Sequence, residues 1–386
     1  MEVLNSTLCA GTMFAQSSTR KELRRASPPP HLYVYRTWNV GGVMCSVTTA
    51  VKKIFCYKVL IPLKIIMLII FFPIGLYYLL RFCVGCCVHP ATISWFRKYV
   101  FRDVVGLGID QCRENILDRD FEYETIVKRF SILVDGYVID AIAVCRKEDL
   151  QYDRWMLCSL GNGEFYEKKV LSPSLEEQMA NQINSGCIFY NYPNVGRSSG
   201  GTFSSKNVTA VHIAFCQFIL TQLNPKVMIE VGYSIGGGVQ GESLRSRALN
   251  NQNVQHIFVK CMSFSSLAAL LPWQCGNLAA FVGWHYDSAN SSTGLSHHEF
   301  ILQQGNPRAM VDDEGNSLPI KEMHSVEELA ATDGIIPKTS TLAYAVHNRD
   351  RQNKTFFLVP EDHFNQLSDL ACKTLAQAII AKIRSN

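Results

Sequence analysis

The chain has 386 residues, 37 Lys and Arg against 33 Asp and Glu, and only 18% charged residues overall. A net charge of +4 is too small to mark a nucleic-acid binder, and 47% apolar residues exclude an intrinsically disordered chain. The 14 cysteines are scattered, several within apolar runs (Cys145, Cys158, Cys187, Cys216, Cys261), where Cys behaves as a small buried hydrophobe rather than as half of a disulfide framework.

Residues 1–56 read as a basic, disordered tail. They carry Arg20, Lys21, Arg24, Arg25, Arg36, Lys52 and Lys53 against Glu2 and Glu22, with the run Pro28-Pro29-Pro30. The region 57–88 that follows reads as a membrane segment. Val59 to Leu80 is 22 residues with one charge, Lys64, and as a helix it would reach about 33 Å, enough for a hydrocarbon core of ~30 Å. Tyr77, Tyr78 and Arg81 suit a lipid–water boundary. Lys52, Lys53 and Lys58 on one side balance Arg81, Arg97 and Lys98 on the other, so orientation stays open. Cys83-x-x-Cys86-Cys87-x-His89 lacks the second ligand pair a structural zinc site needs, and no metal or cofactor is expected here.

Residues 100–386 read as one folded domain. Thr125–Leu133 and Tyr137–Cys145 flank Asp135-Gly136 as a hairpin. Short apolar runs follow at Trp155–Leu160, Cys187–Tyr190, Val227–Val231, His256–Met262, Phe300–Leu302 and Thr355–Val359. Helical patterns at Leu175–Ile183, Ala210–Leu220, Leu244–Leu249, Leu342–His347 and Leu367–Ile383 lie between or after them. Strands alternating with helices predict an α/β fold, a mostly parallel sheet covered on both faces.

Gly232-Tyr233-Ser234-Ile235-Gly236 directly follows the run Val227–Val231. A G-x-S-x-G turn between strand and helix lifts a serine hydroxyl above the sheet, and glycine is needed where side chains would collide. A serine needs a base held by an acid. His363 follows a β-like run and precedes the last helix, the position of a base. Two acid positions are open: Asp333, in the turn Asp333-Gly334-Ile335-Ile336-Pro337, and the pair Asp312/Asp313, nearer to the preceding strand. The backbone N–H groups of Ile235 and of Asn162, in Gly161-Asn162-Gly163, are the expected donors to an oxyanion. Gly236-x-Gly238-x-x-Gly241 also matches a dinucleotide motif, but the next strand ends in Lys260 rather than in the acid that would bind ribose.

Together the hairpin, the Gly161-Asn162-Gly163 loop, Tyr192-Pro193-Asn194-Val195-Gly196-Arg197-Ser198-Ser199-Gly200, the Ser234 turn, Asp333 and His363 make residues 120–386 resemble the α/β-hydrolase superfamily. More narrowly, the chain is similar to the chlamydial CHLPS family of hydrolase-like, membrane-associated proteins. The resemblance implies a mostly parallel eight-stranded sheet with helices on both faces and Ser234, Asp333 and His363 as nucleophile, acid and base. Leu160 stands where many relatives have His, and residues 304–332 are longer than usual. The expectation is a membrane-anchored serine esterase, lipase or thioesterase acting on an acyl ester or lipid-like substrate. The alternative is an inactive hydrolase-like module that binds a protein partner.

Overall fold

Asp135 and Gly136 both take positive φ, 49° and 78°, the geometry whose twist matches a tight antiparallel hairpin. In the computed structural model that turn joins the first two long strands of the sheet. The structure describes residues 32–35, 72–88, 109–118, 126–146, 152–170, 174–200, 204–247, 249, 253–271 and 273–385.

In chain order the elements begin with β1 (Leu32–Tyr35), α1 (Phe72–Val88), α2 (Ile109–Asp118), β2 (Ile126–Val134), β3 (Tyr137–Cys145) and β4 (Arg154–Ser159). Next come α3 (Tyr166–Lys169), α4 (Leu175–Ile183), β5 (Gly186–Tyr190), α5 (Ser205–Phe218), β6 (Val227–Tyr233), α6 (Ile235–Ser246) and β7 (Gln255–Cys261). The rest are α7 (Leu267–Leu270), α8 (Trp273–Phe281), α9 (Ser288–Ser292), β8 (His298–Gln304), β9 (Lys321–Glu322), α10 (Leu342–His347), β10 (Lys354–Val359) and α11 (Asp369–Arg384).

The strands form one sheet in the order β1-β2-β3-β5-β4-β6-β7-β8-β10-β9. Strand β3 runs antiparallel to β2 and β5, and β9 antiparallel to β10; the remaining neighbours are parallel. The expected eight strands are there, with two short strands added at the edges. One of these, β1, comes from the tail read as disordered: its backbone pairs with β2 from Leu32↔Ser131 to Tyr35↔Val134, and its Leu-Tyr-Val-Tyr run is too short to stand out between the prolines and Arg36. Otherwise residues 1–56 lie outside the described residues.

Alternation along each strand divides the core. Trp155 and Leu157 of β4 face one side, packed with Val211, Phe215 and Phe218 of α5 and Val239 of α6. Met156 and Cys158 face the other, with Met179 and Ile183 of α4 and Leu375 and Ile379 of α11. A third cluster joins Ile301, Phe356 and Leu358 to Val346 of α10. The middle strands are buried on both faces, as parallel strands under two helical layers must be.

The segment read as membrane-spanning is only partly described. Residues 57–71 lie outside the described residues, and no helix among the described ones is long and apolar enough to cross a membrane. The second half is α1, which belongs to the domain: Tyr77, Leu80 and Val84 pack against the core, and the Trp284 indole N–H donates to the Arg81 carbonyl at 3.4 Å. Residues 72–88 are therefore not a free-standing span.

Candidate active site

Chain connection from β4 runs to one side of the sheet through β5 and, from β6 onward, to the other. The crevice at the carboxyl ends of β4 and β6 is thus a switch point, where ligands bind in open α/β sheets. Ser159 at the end of β4 lies opposite Gly232 of β6, so the Leu160–Gly163 loop and the Ser234 turn stand side by side at that crevice.

Ser234 has φ 53° and ψ −116°, a backbone conformation that costs free energy and persists only where the surroundings enforce it. Its N–H donates to the Cys261 carbonyl at 2.9 Å, and its carbonyl accepts from the Ser263 hydroxyl at 3.1 Å. The flanking glycines are required by contact. A Cβ on Gly236 would stand 2.1 Å from the Ser159 carbonyl oxygen, and one on Gly232 2.7 Å from the Gly237 nitrogen. Ile235 opens α6, so its N–H has no acceptor within the helix.

His363 Nε2 lies 2.9 Å from Ser234 Oγ, and His363 Nδ1 lies 3.0 Å from Asp333 Oδ2. The structure thus brings Ser234, His363 and Asp333 into one hydrogen-bonded line, with relative exposures of 8%, 7% and 1%. Asp333 is held from several sides. Its Oδ1 accepts from the amides of Ile335 (3.1 Å) and Ile336 (2.7 Å), Oδ2 accepts from Gln303 Nε2 (2.8 Å), and its carbonyl accepts from the His363 amide (2.8 Å). Burial by itself would raise the Asp333 pKa. The His363 hydrogen bond, the two amides and the imidazole charge outweigh it and hold the carboxylate below its ordinary value.

Asp312 and Asp313 are not brought to this line. The Asp312 carboxylate closes its own turn, accepting from the amides of Glu314 (3.0 Å) and Asn316 (2.7 Å), and Asp313 is exposed. The gap between β8 and Asp333 is bridged by β9 and by Gly305↔Leu329 pairing, which returns the chain to the sheet edge before the acid.

The Gly161–Glu164 turn places the Asn162 amide beside the crevice, and that N–H meets no protein acceptor among the described residues. The turn is fixed through Glu164, which accepts from the Gly161 amide at 2.7 Å and pairs with Lys169 at 3.0 Å. Lys169 Nζ sits 5.3 Å from the centre of the Tyr233 ring, and the Tyr233 hydroxyl donates to the His363 carbonyl at 2.6 Å. Tyr233 and Lys169 were not readable as site residues, because Tyr233 meets His363 and Lys169 meets Tyr233 only through the fold, while Glu164 pairs locally and reaches the site only by way of Lys169. The position of Tyr233 beside Ser234 is the one signal that pointed there. The Gly196–Gly200 loop is instead stitched to β3, with Ser199 Oγ and Ser198 Oγ accepting from the amides of Val138 and Asp140.

The overlapping glycine motif has no room for a nucleotide. A Cβ at Gly238 would meet Phe264 and Tyr286, and one at Gly241 would meet Ser291 and Ser288; protein fills the space a pyrophosphate needs. A second buried polar group went unread in the sequence. His212 Nδ1 contacts Ser159 Oγ (2.9 Å) and Tyr190 OH (3.0 Å), and His212 Nε2 contacts Glu230 Oε2 (2.9 Å). His212, Cys216 and Glu230 form the one three-donor set of metal-ligand type among the described residues, but Arg247 already pairs with Glu230. A cation there would face a guanidinium.

The model of the family described as Chlamydia CHLPS protein (DUF818) matches residues 43–384. The chain belongs to that family. No curated protein matches it. Among solved structures it is similar to an esterase from Pyrococcus furiosus (9% identity, 69% of this chain and 94% of that one, TM-score 0.48). It is also similar to a lipase/esterase from Lactobacillus plantarum (15% identity, 67% and 98%, TM-score 0.43) and to a protein from Agrobacterium vitis (16% identity, 67% and 98%, TM-score 0.42).

Proposed function

We propose that the protein is a serine hydrolase of ester or thioester bonds, held at a membrane through the apolar stretch around residues 59–80. The reading rests on one observation, the unbroken hydrogen-bonded line from Ser234 Oγ through His363 to Asp333. Ser234 attacks the acyl carbonyl while His363 Nε2 takes its proton. Asp333 keeps the proton of His363 on Nδ1 and stabilises the imidazolium that forms. The amides of Ile235 and Asn162 receive the developing oxyanion, which a helix N-terminus favours. His363 then returns the proton to the leaving alcohol or thiol, and water, activated by the same imidazole, releases the acyl group. The strained φ and ψ of Ser234 support the same reading, since such strain clusters at reactive serines.

The experiment is active-site labelling of the full chain with a fluorophosphonate probe, alongside hydrolysis of short-chain p-nitrophenyl esters. The wild-type chain labels and turns over, and Ser234→Ala does neither. Labelling that persists in Ser234→Ala, or a folded wild type that neither labels nor turns over, would discard the reading.

A further inference from the structure

Helix α1 has one inward side and one outward side, and the outward side carries no charge. Tyr77, Leu80 and Val84 pack on the domain, while Ile74, Tyr78, Leu79 and Phe82 are each more than half exposed. Cys83 and Cys87 complete that face, and the single charged residue of the helix, Arg81, is half-buried beside Gly283. A helix lying on a water-soluble domain presents polar and charged residues outward; this one presents no charge and, besides its cysteines, one phenol, that of Tyr78. The patch continues onto α8 through the Tyr77–Phe281 ring contact, with centroids 5.8 Å apart, and Phe281 is 70% exposed. Contiguous apolar surface of this kind marks an interaction site.

Which partner covers it follows from the sequence that enters α1. Residues 59–71 are apolar apart from Lys64. Laid over α1, a segment apolar on all its sides would only exchange one exposed apolar surface for another. Whatever takes it out of water takes the adjoining end of α1 as well, and a bilayer does both. The patch also lies at the catalytic edge of the sheet. The Ser205 amide at the start of α5 donates to the Gly283 carbonyl at 3.1 Å. That start follows β5, which runs parallel to β4 and, through it, to β6, so Gly283 and Ser234 stand at the same edge.

We propose that the outward faces of α1 and α8 sit in the headgroup–acyl boundary of a lipid bilayer and seat the domain with its Ser234 edge toward the membrane. An apolar helix face buried at this depth holds a protein on the membrane without crossing it. The consequence for substrate, an ester lodged in the bilayer, rests on the hydrolase reading; the lipid contact does not.

The test uses the full chain reconstituted into phosphatidylcholine–phosphatidylglycerol vesicles with plain or brominated acyl chains. Phe281→Trp adds a reporter on the patch, Leu79→Trp a second on α1, and Lys226→Trp a control at the opposite end of β6. Bromine is expected to cut the emission added at 281 and 79 by about twofold or more, and to leave that at 226 unchanged, as burial at the acyl boundary requires. Equal response at all three positions overturns the proposal, as does a concentration-dependent dimer that shields 281 and 79 from bromine. In a second arm, Leu79→Glu with Phe281→Glu is expected to keep the wild-type rate on a dissolved short-chain ester. Its rate on a vesicle-lodged long-chain ester falls at least about tenfold. Equal rates on both esters overturn the seating. Bromine quenching with no wild-type hydrolysis of either ester leaves the lipid face standing and removes the hydrolase reading.

Discussion

The Tyr233 hydroxyl donates to the backbone carbonyl of His363 at 2.6 Å, so the residue preceding Ser234 in the chain also holds the loop that carries the imidazole. Burial, with the nearby Glu164 charge, raises the Tyr233 pKa, and the phenol stays a donor through the working pH range. Removing that hydroxyl loosens the loop without touching substrate. Tyr233→Phe is therefore expected to lower kcat by about tenfold with KM nearly unchanged, since misorientation of a base is felt in the transition state. Steady-state kinetics on a p-nitrophenyl ester decide it; an unchanged kcat would remove Tyr233 from any positioning role.

The surroundings of Asp333 dictate what an amide would do in its place. Two backbone amides, from Ile335 and Ile336, donate to Oδ1. In Asp333→Asn the carbonyl oxygen must stay there to satisfy them, which turns the NH2 group toward His363 Nδ1. That imposes the tautomer with the proton on Nε2, which cannot accept from Ser234. A fall in kcat of about 10³–10⁴-fold with the fold intact is expected, measured by ester hydrolysis and near-UV circular dichroism. Asp312→Asn, on its exposed turn, is expected to leave the rate at wild-type level.

Much of this site was legible because its chemistry is written in local sequence. Gly232-Tyr233-Ser234-Ile235-Gly236 after an apolar run specifies a strand, a tight corner and a helix, and Asp135-Gly136 specifies a hairpin turn with both φ positive. What stayed hidden depends on contacts between distant residues. The Ser234 turn points to a helix after it, but the apolar pattern delimits one only at Leu244–Leu249, whereas α6 runs from Ile235 to Ser246. Its glycines disfavour helix by local propensity yet are demanded by the Ser159 carbonyl and by Phe264, Tyr286 and Ser288 pressed against them. The choice between Asp333 and the Asp312/Asp313 pair was open for a similar reason: chain distance from β8 favoured the pair, and only the return of the chain along β9 brings Asp333 to His363. The division of α1 into a packed side and an exposed side was also unreadable, because apart from Arg81 the helix is uncharged and its two phenols, Tyr77 and Tyr78, fall one on each side.

A buried carboxylate beside the oxyanion loop sets a pH dependence of stability. Burial, together with the Asp140 charge, pushes the Glu167 pKa up to about 7, against the opposing pull of Arg113 and Asn191. The folded protein thus keeps the Glu167 proton to higher pH than the unfolded chain does. This contribution to stability is full below the ordinary glutamate value near 4.5 and is lost as pH rises to about 7. Glu167→Gln keeps the neutral form at every pH. The stability of the variant relative to wild type is expected to rise by about 2–3 kcal/mol between pH 4 and pH 8, read from urea midpoints. A constant difference across that range would refute it.

Lys260, the residue that speaks against a nucleotide site, is fully buried and serves the core instead. Its Nζ lies 2.7 Å from Glu299 Oε1 on the neighbouring strand and 2.9 Å from Ser292 Oγ, and neither charged side chain is exposed. Such a pair is costly to break and nearly neutral to replace, because the lost attraction is matched by desolvation that no longer has to be met. Lys260→Met leaves the Glu299 carboxylate in an apolar interior with one hydroxyl donor, and is expected to cost about 3–5 kcal/mol. Lys260→Met combined with Glu299→Leu and Ser292→Ala removes all three polar partners at once and is expected to recover most of that loss. Urea unfolding of the single and triple variants measures both; additive losses would mean that the three side chains act independently and that the pair does not couple β7 to β8.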